Sequence, residues 1–394
     1  MNILVLAQVF PPRRGGSGRW LWDLYRRLPG FDVHVVTATT PDGAAFDRTA
    51  DLAISRIPLD FSSWGVWDWR GGPQYGAALL RLRRIVAEQR PDVIHCGKCL
   101  PEGLLASSIR RWTGIPFFTF VHGEELTLAA SSRELRRLTR KVLRTAACVI
   151  ANSHHTRTLL IDRWQVPSEQ IVVMHPGVDT AHFVPAARSL EARRNLEWGS
   201  RQVILTVGAL QKRKGQDMLI RALPAVRQRC PDVLYSIAGE GWERPSLENL
   251  VAECDVADHV QFRGMPGDAE LVACYQQCDL FALPNRQVGW DFEGFGIVLL
   301  EAQACGKPVI AGRSGGTAET IDPSSTGEIV DCDAPDLLAG LAADLLQDDA
   351  RRDRMGTLAR QWVVEHFAWD VLSRQAADLF SRGGIGRGRA TPLD

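Results

Sequence analysis

The sequence predicts an α/β protein of two domains, each built on a parallel β-sheet that helices cover on both faces. The chain has 394 residues, more than one hydrophobic core usually serves. From residue 1 to about residue 180, strand-like apolar runs alternate with helical patterns, and a second series begins at Val203. Such alternation is typical of parallel sheets, in which ligands bind at the carboxyl ends of the strands.

The first half shows this alternation clearly. Apolar runs predict strands at 3–7, 33–37, 93–96, 117–121, 148–151 and 171–174. Helical patterns fall between them at 19–28, 75–89, 102–112, 132–145 and 155–163. The polar stretch from Phe183 to Gly199 is predicted to link the two halves.

Composition excludes several classes of protein. With 45% hydrophobic and 23% charged residues, the chain is typical of globular proteins. Its formal net charge of zero gives no reason to expect a nucleic-acid partner. The chain begins with a strand-like segment, so we expect no signal peptide, and no apolar run is long enough to span a membrane.

Cysteine usage favours a reducing compartment. Nine cysteines, an odd number, are scattered through apolar segments, which predicts buried thiols in the cytoplasm. Cys96 and Cys99 form a Cys-x-x-Cys without a second pair at zinc spacing, and we interpret it as structural.

The most informative stretch is 291–301, Asp-Phe-Glu-Gly-Phe-Gly-Ile-Val-Leu-Leu-Glu. Gly294 and Gly296 permit close backbone approach to a ligand, and a helix is predicted to begin near Gly296. Glu293 would precede that helix, and Glu301 would lie roughly 7 Å along its axis. One ligand could meet both carboxylates and the amides between them, as a nucleotide-sugar would. The alternative is an ordinary helix with one capping and one solvated glutamate.

The residues after this stretch favour the first interpretation. The predicted helix ends at Gly306, a buried strand starts at Pro308, and residues 314–317 supply a further loop of free amides. The block 293–319 resembles the donor-binding segment of glycosyltransferase family 4, whose members are retaining enzymes of the two-domain GT-B fold. Within this family, 214–220 and 301–306 most resemble bacterial mannosyltransferases that act on phosphatidylinositol.

The resemblance implies a set of donor-binding residues in the second domain. Lys214-Gly215 matches the family's Lys-Gly, whose lysine holds the donor phosphates. The family usually has an arginine at position 209, where this chain has Ala209, and Lys212 or Arg213 would have to compensate. The implied donor-binding set is Gly16, Arg213, Lys214, Gly264, Met265, Glu293, Gly294, Phe295, Gly296, Ile297 and Glu301.

Two motifs in the first domain are candidates for the reacting site. Gly16 lies in a glycine-rich turn after the first strand, which is either flexible or brings amides to a phosphate or the acceptor. His122, with Glu124 close by, follows the strand ending at Val121. A lone histidine is commonly structural, but the resemblance implies that His122 lines the reacting sugar. The implied catalytic residues are His122, Lys214 and Glu293.

A tryptophan-rich loop and a basic helix are candidates for acceptor and membrane contact. Trp64, Trp67 and Trp69 could cover core surface, stack on sugars or lie at a lipid interface. The helix over 131–145 is predicted to open with a capping box of Ser131 and Glu134. Its basic residues, from Arg133 to Arg144, are either a solvated face or a surface for anionic lipid. The predicted acceptor residues are Trp64, Trp67, Trp69 and Glu124.

The function implied is hexose transfer, with retention, from a GDP- or UDP-linked sugar to a hydroxyl of a lipid-linked, glycan or small-molecule acceptor. The predicted organisation is an acceptor domain over 1–183, a donor domain over 200–365, a crossover helix over 366–382 and a flexible tail over 383–394. No metal or other cofactor is expected, and the protein would be cytoplasmic, on the inner face of the plasma membrane if it binds lipid. The alternatives are a nucleotide-sugar-binding protein with weak or lost transfer, and an epimerase on the same fold.

Overall fold

The computed structural model describes residues 1–13, 15–67, 69, 71–323 and 325–382. The chain divides into two compact units. The first is Met1–Gly177 together with the C-terminal segment from Trp369, and the second is Val178–Ala368. The predicted tail, 383–394, lies outside the described residues.

The first unit contains a parallel sheet of seven described strands, because its strand segments are short apolar runs joined by helices. The spatial order is β3-β2-β1-β4-β5-β6-β7, so the order reverses between β1 and β4. The strands are β1 (Asn2–Ala7), β2 (Asp32–Ala38), β3 (Ala53–Ile57), β4 (Val93–Cys96), β5 (Phe117–Val121), β6 (Cys148–Ala151) and β7 (Ile171–Val173).

The second unit repeats this plan with six described strands in the order β10-β9-β8-β11-β12-β13, reversing between β8 and β11. All its pairings are parallel. The strands are β8 (Gln202–Val207), β9 (Val233–Ala238), β10 (Val260–Gly264), β11 (Leu280–Leu283), β12 (Val309–Gly312) and β13 (Gly327–Val330).

Helices connect the strands and cover both sheets. The helices are α1 (Gly16–Tyr25), α2 (Gly43–Asp47), α3 (Gly71–Gln89), α4 (Leu104–Thr113), α5 (Glu124–Ser131), α6 (Arg133–Thr145), α7 (His154–Asp162), α8 (Leu190–Asn195), α9 (Gln216–Arg229), α10 (Arg244–Glu253), α11 (Asp268–Gln277), α12 (Ile297–Ala304), α13 (Pro335–Gln347), α14 (Asp349–His366) and α15 (Trp369–Ser381).

The chain passes between the units twice. Leaving the first unit, it reaches Val178, whose N–H donates to the Phe367 carbonyl at 2.9 Å. After α14 it returns, and α15 buries Trp369, Leu372 and Phe380 in the core of the first unit beside β1 and α1. The first and last residues of the second unit are therefore neighbours, as the isolated bridge between Val178 and Ala368 also shows.

The structure differs from the sequence predictions at several elements. β3, α2 and α5 were not predicted, because their segments are short or read as polar loops. The expected linker before Gly199 instead packs into the second unit, where Leu196, directly after α8, and the buried Trp198 belong to one core. In the described part of the chain, no helix is long and apolar enough to cross a membrane.

The predicted capping box at Ser131 is wrong. Ser131 is the last residue of α5, and its hydroxyl donates to the Leu128 carbonyl. Ser132 caps α6 instead, accepting from the Leu135 N–H at 3.4 Å. Glu134 accepts hydrogen bonds from the backbone of the tryptophan loop rather than from its own helix.

Candidate active site

The candidate donor site lies at the carboxyl edge of the second sheet, where the strand order reverses. Lys214 follows β8, and Glu293 follows β11, its neighbour across the reversal point. Ligands of parallel sheets bind at such crevices because the loops on either side diverge there. The topology thus brings together two charged residues that are far apart in sequence.

Three charged side chains meet at this edge. Glu293 Oε2 lies 2.6 Å from Lys214 Nζ and 2.5 Å from Arg213 Nη1. Arg213 Nε also lies 3.3 Å from Asp291 Oδ1. Burial alone would raise the pKa of Glu293, but the charges of Lys214 and Arg213 outweigh it and hold the pKa below its usual value. Glu293 is therefore a carboxylate at neutral pH.

The second oxygen of Glu293 has a different environment. Both cations contact Oε2, and within the described residues Oε1 accepts no hydrogen bond. A carboxylate oxygen can accept from sugar hydroxyls. Glu293 can therefore remain paired with Lys214 while Oε1 orients a ligand.

Close backbone packing fixes the position of Lys214. Gly215 has φ +74°, and a Cβ there would lie 1.7 Å from the Pro284 carbonyl oxygen. The segment after β11 is also tied to α9, because Arg286 donates to both carboxylate oxygens of Asp217 at 2.7 Å. Any side chain at position 215 would therefore separate the two halves of the site.

The loop after β12 holds Glu293 from the other side. Gly315 has φ +66°, and a Cβ there would lie 1.8 Å from the Glu293 carbonyl oxygen. The Gly316 N–H donates to that carbonyl at 3.0 Å. The buried Asn285 donates to the Ser314 carbonyl and accepts from the Gly312 N–H. Some of the predicted free amides of 314–317 are thus used to support the site.

Helix α12 begins at Ile297, as predicted, with Gly296 at φ +93° before it. No side chain caps its first amides, and an anion is favoured at such a terminus. Gly294 and Phe295 lie in the turn between Glu293 and this helix, and the Phe295 ring is buried. Glu301 is buried inside the helix and accepts from the Tyr275 hydroxyl at 2.6 Å. A ribose hydroxyl that donates to Glu301 would therefore share the carboxylate with the Tyr275 hydroxyl.

At Ala209 this site differs from the family pattern described above, which has an arginine at that position. Its carbonyl accepts from Gln216 Nε2 at 3.1 Å, and its side chain carries no charge. Arg213, one of the two residues expected to compensate, is already paired with Glu293 and Asp291, whereas Lys212 is exposed. Of these two cations, Lys212 is the one not committed to Glu293.

In the first unit, His122 lies at the carboxyl end of β5, beside the Trp20 ring. Its Nε2 is 2.7 Å from the Gly97 carbonyl oxygen, which can only accept, so Nε2 carries the proton and Nδ1 is an acceptor. Burial lowers the pKa of His122, although Glu125 opposes the effect. The imidazole is thus neutral in a fixed tautomer.

Glu125, which was not predicted, contacts His122, whereas the predicted Glu124 is exposed. Glu125 Oε1 accepts from the His122 N–H at 2.8 Å, and Asn152 Nδ2 donates to the His122 carbonyl at 2.9 Å. Glu124 and Glu125 both lie in the first turn of α5, so the sequence gives no signal that separates them.

Glu102 is a second buried carboxylate that sequence reasoning missed. Its Oε1 accepts from the Gln8 N–H at 2.7 Å, just beyond the end of β1. Burial raises the pKa of Glu102 to about 7, and Oε2 has no hydrogen-bond partner among the described residues. Glu102 therefore fixes the start of the loop that leads to Gly16.

The glycine-rich turn leads directly into α1, whose first residue is Gly16. A Cβ added to Gly16 would meet nothing within 4 Å, while one at Gly18 would lie 2.7 Å from the Val9 carbonyl oxygen. Packing therefore requires glycine at position 18 rather than at position 16. The space around Gly16 is open, as a ligand-binding role would need.

The tryptophan loop divides into a buried and an exposed part. Trp64 packs against the core, with Lys98 Nζ 5.8 Å from its ring centroid, whereas Trp67 and Trp69 are 64% and 78% exposed. The Val66 and Trp67 amides donate to Glu134 Oε1 at 2.5 and 2.7 Å, and Arg137 lies over the Trp67 ring. Trp67 is thus anchored beside the basic face of α6.

A surface cleft of about 410 Å³ opens elsewhere on the first unit, between the loops that follow β1, β2 and β3. It contains none of the predicted site residues. Its lining is Pro12, Arg13, Thr39, Thr40, Pro41, Asp42 and Asp60.

Two models of known protein families match the chain. The family model Glycosyltransferase Family 4 matches residues 14–182, and the model Glycosyl transferases group 1 matches 189–362. A GDP-mannose-dependent alpha-(1-6)-phosphatidylinositol monomannoside mannosyltransferase of Mycobacterium tuberculosis is 36% identical over 389 residues, 97% of this chain and 98% of that protein. The chain belongs to glycosyltransferase family 4.

Two further similarities cover nearly the whole chain. A D-inositol 3-phosphate glycosyltransferase of Salinispora arenicola is 32% identical over 393 residues, covering 90% of this chain and 84% of that protein. The crystal structure of Anabaena Alr3699/HepE in complex with UDP matches with a TM-score of 0.81 at 22% identity, covering 97% of this chain and 100% of that one. The predicted GT-B fold and the prediction of a glycosyltransferase are both confirmed.

In the second unit of this family 4 enzyme, Arg213 and Lys214 both contact one carboxylate oxygen of Glu293. Residues Gly294 to Ile297 follow Glu293 directly along the chain. Gly264 and Met265 lie at the end of β10, at the same carboxyl edge. His122 and the Gly16 turn belong to the first unit. Their roles in binding remain predictions.

Proposed function

We propose that this enzyme transfers mannose from GDP-mannose to a hydroxyl of a phosphatidylinositol-type glycolipid, with retention of configuration at the anomeric carbon. The choice of donor and acceptor follows the full-length relatives that carry this activity in their names, foremost the 36% identical M. tuberculosis protein. The donor chemistry follows the charged cluster at the edge of the second sheet.

The observation that carries the proposal is the contact of Lys214 and Arg213 with one oxygen of Glu293. Glu293 lies four residues before Ile297, where α12 begins without a side-chain cap. This arrangement offers cations and backbone amides to a diphosphate, and a carboxylate oxygen to sugar hydroxyls. A nucleotide-sugar has those groups in that sequence. Ordinary surface ion pairs are not buried in this way.

In the proposed reaction, the bond between the anomeric carbon and the diphosphate oxygen breaks, and a bond to the acceptor oxygen forms on the same face. The acceptor proton passes to the leaving phosphate. Lys214 and the amides near Gly296 stabilise the charge that develops on the diphosphate. Glu293 Oε1 orients the mannose hydroxyls. In the first unit, the neutral His122 keeps Nδ1 as a hydrogen-bond acceptor for a substrate hydroxyl.

We also propose that the reaction needs no divalent metal, because Lys214 and the helix amides supply the charge that a metal supplies in other transferases. Activity should then persist in excess EDTA. A requirement for added Mg²⁺ or Mn²⁺ would contradict this part of the proposal.

The acceptor side of the proposal includes peripheral contact with an anionic membrane. The exposed Trp67 and Trp69 lie in the loop anchored to α6 by Glu134, and α6 exposes a row of basic side chains. Aromatic and basic groups side by side favour the interfacial region of anionic bilayers.

The test is transfer of radiolabelled mannose from GDP-mannose to vesicles that contain phosphatidylinositol or its monomannoside. Parent protein is compared with Glu293→Gln and Lys214→Met, and with Lys307→Met as a matched control in the same unit. We expect labelled lipid with the parent and the control, and a loss of about 100-fold or more with the two site variants.

A second candidate is a nucleotide-sugar-binding protein without turnover, which Ala209 favours because a phosphate-contacting arginine is missing from that position. In this case GDP-mannose would bind to the parent, and the site substitutions would abolish binding, yet no labelled product would form. Transfer from UDP-glucose in place of GDP-mannose would instead contradict the donor assignment.

A further inference from the structure

The cleft of about 410 Å³ on the first unit is not used by the proposed chemistry. It lies at the carboxyl edge of the first sheet, between the loops that follow β1, β2 and β3. Parallel sheets bind ligands at this edge, and small-molecule sites have volumes of about 300 to 1,000 Å³. None of the residues proposed to contact donor or acceptor lines this cleft.

Arg56 of β3 holds the loops around the cleft in place. Its guanidinium donates to both carboxylate oxygens of Asp47 at 2.8 Å, to the Pro11 carbonyl at 2.8 Å and to the Ala38 carbonyl at 3.0 Å. These groups belong to α2, to the loop after β1 and to the end of β2. Gly43 makes room for this arrangement, because a Cβ there would lie 2.5 Å from Arg56 Nε. The cleft is therefore preformed by one buried side chain.

Arg13 and Asp60 join two of the loops that line the cleft. Arg13 Nη1 donates to Asp60 Oδ1 at 2.6 Å, which links the loop after β1 to the loop after β3. The two side chains remain 46% and 57% exposed, so a ligand can reach both of them. An exposed ion pair of this kind contributes little to the stability of a fold. These two side chains can therefore turn toward a ligand at little cost.

The loop after β2 contributes polar groups that have no partner in the protein. Within the described residues, the Thr39 hydroxyl and the Asp42 carboxylate make no hydrogen bond, and Asp42 does not cap α2. A hydroxyl both donates and accepts, and a carboxylate has two accepting oxygens. Pro12 and Pro41 add small apolar surfaces to the same lining. The lining thus offers unused acceptors, a donor and two saturated rings.

This lining disfavours several classes of ligand. Two carboxylates, Asp42 and Asp60, stand against one guanidinium that is already paired, so a phosphate or another anion would be repelled. Among the described residues, no aromatic side chain lines the cleft, so it has no surface on which a nucleobase would stack. Two proline rings are too small an apolar surface for an acyl chain. The remaining class is a neutral ligand that carries many hydroxyls.

A saturated ring with several hydroxyls fits the lining. Two neighbouring hydroxyls of such a ring can donate to the two oxygens of one carboxylate. Arg13 and Thr39 can donate to the hydroxyl oxygens in return. The C–H groups of the ring can pack against Pro12 and Pro41. Hexoses and inositol are rings of this kind.

We propose that this cleft is a second saccharide-binding site, separate from the donor site, that holds a hexose or inositol ring of the glycolipid head group. The assignment to the glycolipid rests on the proposed function, because the glycolipid is the acceptor of that reaction. Arg13 precedes Gly16 by three residues, so their Cα atoms lie at most about 11 Å apart. A ring in the cleft and a group at the Gly16 turn can therefore belong to one ligand.

The test is binding of methyl α-mannopyranoside and of myo-inositol to the whole chain, measured by saturation-transfer NMR titration. Asp42→Asn is the main variant, because it removes a charged acceptor that makes no contact needed by α2. Asp51→Asn, which changes an exposed carboxylate of the same unit outside the cleft, is the matched control. Glu293→Gln shows whether the ring binds at the donor site instead. Thermal unfolding without ligand checks that the variants are folded.

The parent should bind at least one of the two rings with a dissociation constant of about 1 mM, as expected for a ligand of roughly a dozen non-hydrogen atoms. Asp42→Asn should weaken this binding about 10-fold or more. Asp51→Asn and Glu293→Gln should leave it unchanged. Mannose 6-phosphate should bind more weakly than the mannoside, because the lining repels anions.

Three results would overturn the inference. The first is a folded parent that binds neither ring. The second is binding to Asp42→Asn with the affinity of the parent. The third is binding of Ca²⁺ to the parent that Asp42→Asn abolishes while neither ring binds, since the cleft would then be a cation site.

Transfer assays with two lipids identify the source of the ring. If the cleft holds the mannose that an acceptor already carries, Asp42→Asn should raise the KM for phosphatidylinositol monomannoside about 10-fold and leave that for phosphatidylinositol unchanged. If it holds the inositol, both KM values should rise. In either case kcat should be retained. If neither KM changes, the glycolipid is not the ligand, and that part of the inference is wrong.

The two proposals fail in different ways. If the parent binds a ring through Asp42 but transfers no mannose from GDP-mannose to either lipid, the proposed function is wrong and the saccharide site stands. If the parent transfers mannose, and Asp42→Asn alters neither ring binding nor either KM, only the saccharide site is wrong.

Discussion

Lys214 Nζ lies 2.6 Å from Glu293 Oε2, so the predicted phosphate-binding cation and the predicted sugar-binding carboxylate are held as one unit. We expect Lys214→Met to weaken GDP binding by about 1.5 to 3 kcal/mol, because it removes one charge-assisted contact. Calorimetry of GDP binding measures this directly. Lys307→Met is the control, and equal binding by the two variants would show that Lys214 does not contact the nucleotide.

The pH dependence of stability should report the Glu293 cluster. The pKa of Glu293 is lowered from 4.5 in the folded protein, so its pairing stabilises the fold above about pH 4.5 and is lost as the pH falls through the lower folded pKa. Glu293→Gln should therefore have a free energy of unfolding about 3 kcal/mol below that of the parent at pH 7. This difference should become smaller in acid, as Glu293 of the parent is protonated. Urea unfolding at pH 7 and pH 4 measures both values. A gap independent of pH would contradict the prediction.

Glu102 should give a dependence of opposite sign. Burial raises the pKa of Glu102 to about 7 from 4.5, so the folded protein holds an extra proton between these values. Its contribution to the free energy of unfolding is present in acid and falls as the pH rises toward 7, by up to about 1.4 kcal/mol per pH unit. Glu102→Gln cannot titrate and should lose this slope. Urea unfolding gives the free energy of unfolding of both proteins at pH 5.5 and at pH 8. If that free energy changes equally in the parent and in Glu102→Gln, the prediction is wrong.

His122 should stay neutral in solutions where an ordinary histidine is half charged. Burial lowers the pKa of His122 below 6.5, and Nε2–H is held by the Gly97 carbonyl. Long-range ¹H–¹⁵N NMR at pH 6.5 should therefore show a ring that is mostly neutral and protonated at Nε2, assigned by its absence from His122→Asn. A ring that titrates at pH 6.5 or above would mean that the imidazole is not buried as described.

Membrane contact should depend on the basic face of α6. We expect the double variant Arg140→Gln and Arg144→Gln to bind vesicles containing anionic lipid more weakly by about 2 kcal/mol, close to 1 kcal/mol for each charge. Arg221→Gln with Arg354→Gln, two exposed arginines of the second unit, controls for net charge. Sedimentation with vesicles gives the partition coefficients. If both double variants bind equally, α6 has no special role.

The sequence was sufficient for most of the fold, because buried parallel strands such as β1, β5 and β6 are continuous apolar runs. β3 was missed since Ala53–Ile57 includes a serine and an arginine, Ser55 and Arg56, in five residues. The Arg56 side chain, which is 9% exposed, donates to Asp47 and to the Pro11 and Ala38 carbonyls, and no local pattern reveals these contacts. Ser131 was read as a cap because α5 was not recognised.

For the site, the glycines and glutamates near α12 were identifiable, since helix starts and glycine turns are local. The pairing of Lys214 with Glu293 was not, because it follows from the order of β8 and β11 in the sheet. The choice between Glu124 and Glu125 also needed coordinates: adjacent residues of a helix point in different directions, and only Glu125 reaches the His122 amide.

The return of the chain through α15 has a consequence for synthesis on the ribosome. Residues 178–368 are contiguous, so the second unit has its whole sequence as soon as Ala368 has emerged. The first unit begins earlier but still lacks Trp369, Leu372 and Phe380, which fill its core beside β1. The first unit is therefore completed after the second, and until α15 has emerged it exposes an apolar surface on which chaperones can act.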